Sequence, residues 1–278
     1  MNKKITPRRL LKWSIIAFVL LMVRELTPLR GLGRTTSQFL TSPSDPRVHY
    51  EAGTDRIAET VAAALPQAIS TIERLQYRPF SRPVEVYICA GEKSLASYGG
   101  PKSAGGFVFN GRLFLSNKPQ NTRERLPRVL THELSHLHLE QQLGMIRCNL
   151  NIPSWFKEGL AVLVSDGGGA ETVSAAEAKN AIRQGRAFEP SLSGSVFFPK
   201  SGSSYNLPEH MWYRQSALLV QFLHEKDEAR FRRFLLLLED GGGFESSISE
   251  AYSNNFSTLF HEFKTGLGLI DPTEKKDR

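Results

Sequence analysis

The sequence predicts an α+β protein. A small N-terminal mixed sheet with a hairpin comes first, and a mostly helical lobe follows it, behind an N-terminal membrane signal-anchor. Three observations predict this. Val84 to Ala90 alternates in apolar character and is rich in β-branched residues, and Asn110-Gly111 separates two short apolar runs. From about Glu124 onward the apolar residues recur at helical spacing. At the start, a basic stretch precedes an uncharged apolar run.

The charge has an address. The 278 residues carry a formal net charge of +7. Residues 1–34 hold Lys3, Lys4, Arg8, Arg9, Lys12, Arg24, Arg30 and Arg34 against Glu25 alone, so the whole excess sits there and the body is neutral. A nucleic-acid-binding domain needs a basic face of its own, so no nucleic-acid partner is expected. The run Trp13 to Val23 is short for a span but has the length of a signal-peptide apolar region. No small-x-small cleavage site follows it, which favours an uncleaved anchor over a removed signal peptide. The membrane segment is expected over residues 10–26. Five basic residues before the run and three after it place the N-terminus in the cytoplasm and the body on the extracytoplasmic side. Two cysteines, Cys89 and Cys148, exclude a disulfide scaffold and leave one bridge or two buried thiols.

The elements follow in order. Residues 31–55 are rich in Gly, Ser, Thr and Pro and read as a linker. Asp55 to Gln76 reads as a helix with a kink or break at Pro66. Asn110-Gly111 specifies a type I′ hairpin within residues 105–116. A helix spans about Glu124 to Leu143 with Pro127 in its first turn. Ser154 is placed to cap a helix from Trp155 to about Ser165. A surface helix covers Glu171 to Gln184, and residues 189–209 form a long polar loop. Helices at about 211–225, 227–239, 244–252 and 255–267 complete the chain. The domain plan is leader and anchor at 1–30, linker at 31–55, one domain at 56–268 and a polar tail at 269–278.

Residues 132–136 read His-Glu-Leu-Ser-His. Positions four apart share a helix face, so His132 and His136 present two imidazoles together. Zinc favours imidazole nitrogen in a tetrahedral site with a position left open. Glu133, one residue off that face, flanks such a metal as a proton acceptor. The bland reading is a solvated helix that carries these residues by chance.

A third donor stands 22 residues after His136: Glu158, in Pro-Ser-Trp-Phe-Lys-Glu-Gly-Leu-Ala. It completes a two-His-one-Glu set for Zn2+. Trp155 and Phe156 are the apolar anchors of its helix. Gly159 leaves room for a close helix or a ligand. The two motifs together resemble the gluzincin clan of metallopeptidases, and Trp-Phe-Lys-Glu-Gly-Leu-Ala looks like the signature of its aminopeptidase-like and peptidase-MA-like members. The resemblance implies a zincin-like helical lobe. It also implies zinc held by His132, His136 and Glu158, with Glu133 as the base. It further implies that an edge strand near Gly106 to Ser116 binds an extended peptide, although an ordinary hairpin fits those residues equally well. Such domains carry a tyrosine that steadies the oxyanion, which falls on Tyr213 of Tyr213-Arg-Gln-Ser216. Tyr205 and His210 are rivals for it, and core packing is the plain alternative.

Other residues fit less well. Val162 cannot orient a ligand histidine, and Asp166 is a weak candidate for that task. His138 lies off the ligand face and suits packing or solvent. Glu140 suits a supporting or a solvated role. No Gly-x-Met-Glu-Asn type motif precedes the helix, so an endopeptidase is favoured over an exopeptidase. The expected function is therefore a membrane-anchored extracytoplasmic zinc metallopeptidase acting on a peptide or protein substrate. A catalytically silent binding or scaffold protein of the cell envelope is the alternative, and the oligomeric state is left open.

Overall fold

The computed structural model describes residues 33–101, 104–118 and 124–269. Its sheet contains β1 (Leu40–Thr41), β2 (Val48–Tyr50), β3 (Val86–Cys89), β4 (Gly106–Phe109) and β5 (Arg112–Ser116), in spatial order β1-β2-β3-β5-β4. The central pairings, β2 with β3 and β3 with β5, are parallel, and both edges are antiparallel. The sheet is therefore mixed, as expected. Residues 31–55 are not all linker, because β1 and β2 lie within them and Val48 is fully buried beside Val86. A three-residue strand is too short to give a period-two signal, which is why composition alone suggested a linker. The Asn110-Gly111 turn has positive φ at both residues, 52° and 73°, as a type I′ hairpin requires.

The helices are α1 (Asp55–Leu75), α2 (Glu92–Ser97), α3 (Leu126–Leu143), α4 (Met145–Asn151), α5 (Ser154–Val164), α6 (Ala175–Arg183), α7 (Glu209–Lys226), α8 (Glu228–Glu239), α9 (Phe244–Tyr252) and α10 (Phe256–Gly266). α1 runs unbroken through Pro66, because the face that buries Val61, Leu65, Ala68 and Ile72 outweighs one lost backbone bond. α2 and α4 have no counterpart in the expected elements. At six and seven residues they are too short for a helical period to register. Pro153, not Ser154, sits at the N-cap of α5, and no side chain caps that end. Proline suits the position because its fixed φ is already extended and its missing N–H costs nothing there. Ser174 and Glu177 form a complete capping box at the start of α6.

The sheet separates two apolar layers. Val86, Ile88, Leu113 and Leu115 face the main core with α1 and α3, while Tyr87, Cys89 and Phe114 face a second cluster with Phe39, Tyr98 and Phe109. Trp155 and Phe156 lie at the centre of an aromatic group with Phe234, Phe244 and Phe256. Both cysteines are free and buried. Among the described residues no helix is long and apolar enough to cross a membrane. The expected anchor and the polar tail lie outside them, apart from Leu269.

Candidate metal centre

α3 carries His132 and His136 one turn apart, with their Nε2 atoms 3.2 Å from each other. α5 crosses α3 and places Glu158 Oε2 3.4 Å from each of those nitrogens. Four ligands about 2.05 Å from a zinc ion stand about 3.4 Å apart in a regular tetrahedron. The three donor atoms already have that spacing. Glu158 Oε2 is buried without a hydrogen-bond partner, an unfavourable state for a carboxylate unless a cation meets it. Burial alone would raise the Glu158 carboxyl, but the facing imidazoles outweigh it and hold it well below the usual carboxylate range. The donor set fits zinc: two imidazole nitrogens and one carboxylate oxygen, with a cavity on the open side.

α5 is aimed by its glycine and its aromatics. A Cβ on Gly159 would come within 2.6 Å of the Ser216 carbonyl oxygen, so only glycine lets α5 press this closely on α7. Of the two roles open to Gly159, the close helix approach is the one it performs. Trp155 and Phe156 flank Glu158 on the buried side and fix the rotation of the helix.

The glycine run after α5 orients the first histidine. His132 Nδ1 donates to the Gly168 carbonyl at 2.9 Å, which leaves Nε2 with a lone pair for a metal. Gly169 has φ +83°, and a Cβ there would lie 2.8 Å from His132 Cε1. Asp166 does not perform this task. Its side chain is 93% exposed and pairs with Arg128. Three glycines two residues after the end of a helix were the available signal, but a backbone carbonyl has no sequence signature.

Glu133 and Tyr213 open onto the same cavity of ≈ 290 Å³ as the three donors. A Cβ on Gly106 would stand 2.9 Å from Glu133 Cγ, so the glycine of β4 makes space for the carboxylate. Burial raises the Glu133 carboxyl above its ordinary value, and His132 and His136 partly pull it back. The Tyr213 ring stacks at 5.9 Å on His132. The Glu158 carboxylate, then burial, hold its hydroxyl well above the ordinary phenol value, so it stays a proton donor. Tyr205 instead packs on Phe188, and His210 bonds Thr172 at the surface. Neither borders the cavity.

The rest of α3 braces the site. Glu140 Oε1 accepts the Gly111 N–H at 2.7 Å and ties the hairpin turn to the metal helix. It is a buried support and not a solvated group. His138 packs, as its position off the ligand face suggested: Nε2 donates to the Arg78 carbonyl at 2.9 Å and Nδ1 faces Glu239. Among the described residues β4 is an edge strand of the sheet, and it borders the cavity. Ser116 N bonds the Gly105 carbonyl, so the alternation of the ladder turns the N–H and C=O of Gly106 and Val108 away from β5. Lys157 and Asn149, which the sequence did not single out, border the cavity and bond each other at 2.6 Å. A larger cavity, ≈ 670 Å³, lies between α1 and the start of α3, lined by Ile57, Ala63, Leu126 and Pro127 among others, and no histidine reaches it.

No family model matches the chain, and no curated protein does. Among solved structures, native yeast LTA4 hydrolase is similar, with a TM-score of 0.53 at 15% sequence identity. The likeness covers 86% of this chain and 40% of that one, so the chain spans well under half the length of its structural relative. The chain thus shares a fold with a portion of yeast LTA4 hydrolase, and within that fold it gathers a two-His-one-Glu site suited to zinc.

Proposed function

We propose that this chain is a zinc-dependent metallopeptidase that hydrolyses peptide bonds, anchored by its leader with the catalytic domain on the extracytoplasmic side of the membrane. One observation carries the reading. His132, His136 and Glu158 form a triangle of tetrahedral dimensions, and a half-buried carboxylate and a phenol share its cavity. Zinc held by these three side chains supplies Lewis acidity and makes water a stronger acid at neutral pH. Glu133 takes the proton of the attacking water on its carboxylate and returns it to the leaving amine. The Tyr213 hydroxyl donates to the developing oxyanion. Gly106 and Val108 offer backbone groups to an extended peptide laid along β4, beside Glu133. A peptide held by its backbone needs no free terminus, so we read the enzyme as an endopeptidase.

The test joins metal analysis to turnover on unfolded protein substrates. The full chain should hold one zinc per molecule and cleave, and Glu133→Gln should keep the zinc and lose cleavage. Absence of stoichiometric zinc in the wild type would overturn the reading. Zinc without any cleavage would favour a scaffold.

A further inference from the structure

Among the described residues, apart from Leu40 on β1 and the less exposed Val196, four large apolar side chains stand out in solvent: Ile146 is 60% exposed, Leu150 48%, Phe197 69% and Phe198 85%. They belong to two segments that the fold binds together. Ile146 and Leu150 are four residues apart on α4 and share one face. Gly194 N donates to the Leu150 carbonyl at 3.0 Å, and a Cβ on Gly194 would lie 2.1 Å from the Asn149 oxygen, so the loop is pressed onto the end of α4. Phe198 N in turn bonds Ser195 Oγ, which turns the chain at the two phenylalanines three and four residues after Gly194. None of the four lines the catalytic cavity, whereas Cys148 and Asn149 of the same helix do. The apolar face looks outward while the opposite side of α4 walls the cleft. That geometry disfavours a role in holding a substrate side chain.

The charges and the path of the chain indicate what covers this face. Arg147 is the one charge on α4, and Lys200 is the one charge in residues 191–208. Glu189 and Glu209 stand at the two ends of that loop, and Glu209 Oε2 is taken up by the Gly202 N–H. The exposed phenylalanine and aliphatic side chains between them, with Arg147 and Lys200 as their nearest charges in sequence, suit the surface of an anionic bilayer. The leader joins the body at Gly33 and Arg34, which share a small cavity with Phe109 and Asn110 at the hairpin turn. Met145, the first residue of α4, packs on the same aromatic cluster as Phe109. Seven residue steps from the end of the expected anchor to Gly33 reach about 25 Å at most. The tether therefore holds this side of the body close to the bilayer.

We propose that Ile146, Leu150, Phe197 and Phe198 form a shallow membrane-inserting surface that seats the catalytic cleft against an anionic lipid bilayer. The inference rests on reading the leader as a membrane anchor. Its consequence is a substrate class: peptide chains emerging from, or lying along, the membrane surface.

The experiment uses the full chain in phosphatidylcholine–phosphatidylglycerol vesicles, with an environment-sensitive fluorophore on a cysteine introduced as Phe198→Cys. Cys89 and Cys148 are buried, so labelling is selective. A second protein carries the probe as Glu59→Cys on α1, beside the start of α3 and a full helix length from α4. Lipids brominated in the upper acyl chain should quench the probe at 198 several-fold more than the probe at 59, on protein that co-floats with the vesicles. Flotation with equal quenching at both positions would overturn the surface and leave the anchor standing. Failure to float would overturn the anchor and the surface together. A probe at 198 already shielded in lipid-free protein would mean that the leader or a second copy covers the face, which also overturns the proposal. Zinc content reports separately on the peptidase reading.

Discussion

The His132 ring is held by the Gly168 carbonyl, 2.9 Å from its Nδ1. One backbone oxygen thereby selects the tautomer in which Nε2 keeps its lone pair, 3.2 Å from His136 Nε2 and 3.4 Å from Glu158 Oε2. The loop that supplies the oxygen is a glycine run that no other residue type fits, because its neighbour Gly169 lies flat against the same ring at φ +83°.

Gly169→Ala should weaken zinc binding without removing a ligand. Its Cβ would press on His132 Cε1 and rotate the ring off the Gly168 carbonyl. Loss of such an orienting contact costs about 10- to 100-fold in metal affinity. Competition with a chromophoric chelator measures this. An unchanged affinity would show that the glycine run does not position the ring.

Glu133→Gln should retain zinc at full stoichiometry and lower kcat by about 10²- to 10⁴-fold, the usual contribution of a positioned acid–base group. The amide is isosteric, so the cavity and the contact with Gly106 survive. Wild-type turnover in this variant would exclude Glu133 as the base.

Tyr213→Phe keeps the ring that stacks on His132 and removes only the hydroxyl. A donor used on the oxyanion contributes about 10²- to 10³-fold in kcat, with KM little changed. A fall in melting temperature with kcat intact would instead assign Tyr213 to packing.

The His138–Glu239 pair predicts a pH dependence of stability. Both side chains are fully buried, with Nδ1 3.4 Å from Oε1. Because Nε2 donates to the Arg78 carbonyl, a neutral His138 presents a bare Nδ1, and the proton between the two must come from Glu239. Burial pushes Glu239 up to about 8 from an ordinary 4.5, and pushes His138 down to about 4 from 6.5. From 4.5 to 8 the folded protein holds a proton on Glu239 that the unfolded chain has lost, so this group makes stability fall as pH rises. From 4 to 6.5 the unfolded chain holds a proton on His138 that the folded protein lacks, so that group makes stability rise. The two slopes oppose each other below 6.5. Above it the Glu239 slope remains, and unfolding free energy should drop by up to about 2 kcal/mol between pH 6.5 and 8. Urea midpoints across that window, in wild type and Glu239→Gln, test it. An equal drop in both proteins would remove Glu239 as its source.

Much of the site was legible in the chain because its spacing is a property of a helix. Two histidines four apart must share a face of α3, and a Glu on the next long apolar helix has few other places to go once Trp155 and Phe156 are buried. The type I′ turn was legible for a similar reason: Asn-Gly tolerates positive φ at both positions. Short elements were not. β1, β2, α2 and α4 carry too few residues to show a period, so the first two merged into an apparent linker.

The sequence by itself determined the donor chemistry, the helix that carries two of the donors, and the α+β order of elements, because these follow from local periodicity and residue type. Only the tertiary structure decided which groups surround the donors. The Gly168 carbonyl on His132, the Glu140 clasp on the hairpin, the edge strand β4 beside Glu133, and the fact that Tyr213 borders the cavity while Tyr205 and His210 do not all depend on how α3, α5 and α7 cross. That crossing is set by contacts between residues distant in the chain, Gly159 against Ser216 above all, and a backbone oxygen or a missing Cβ exerts its effect only once such contacts form.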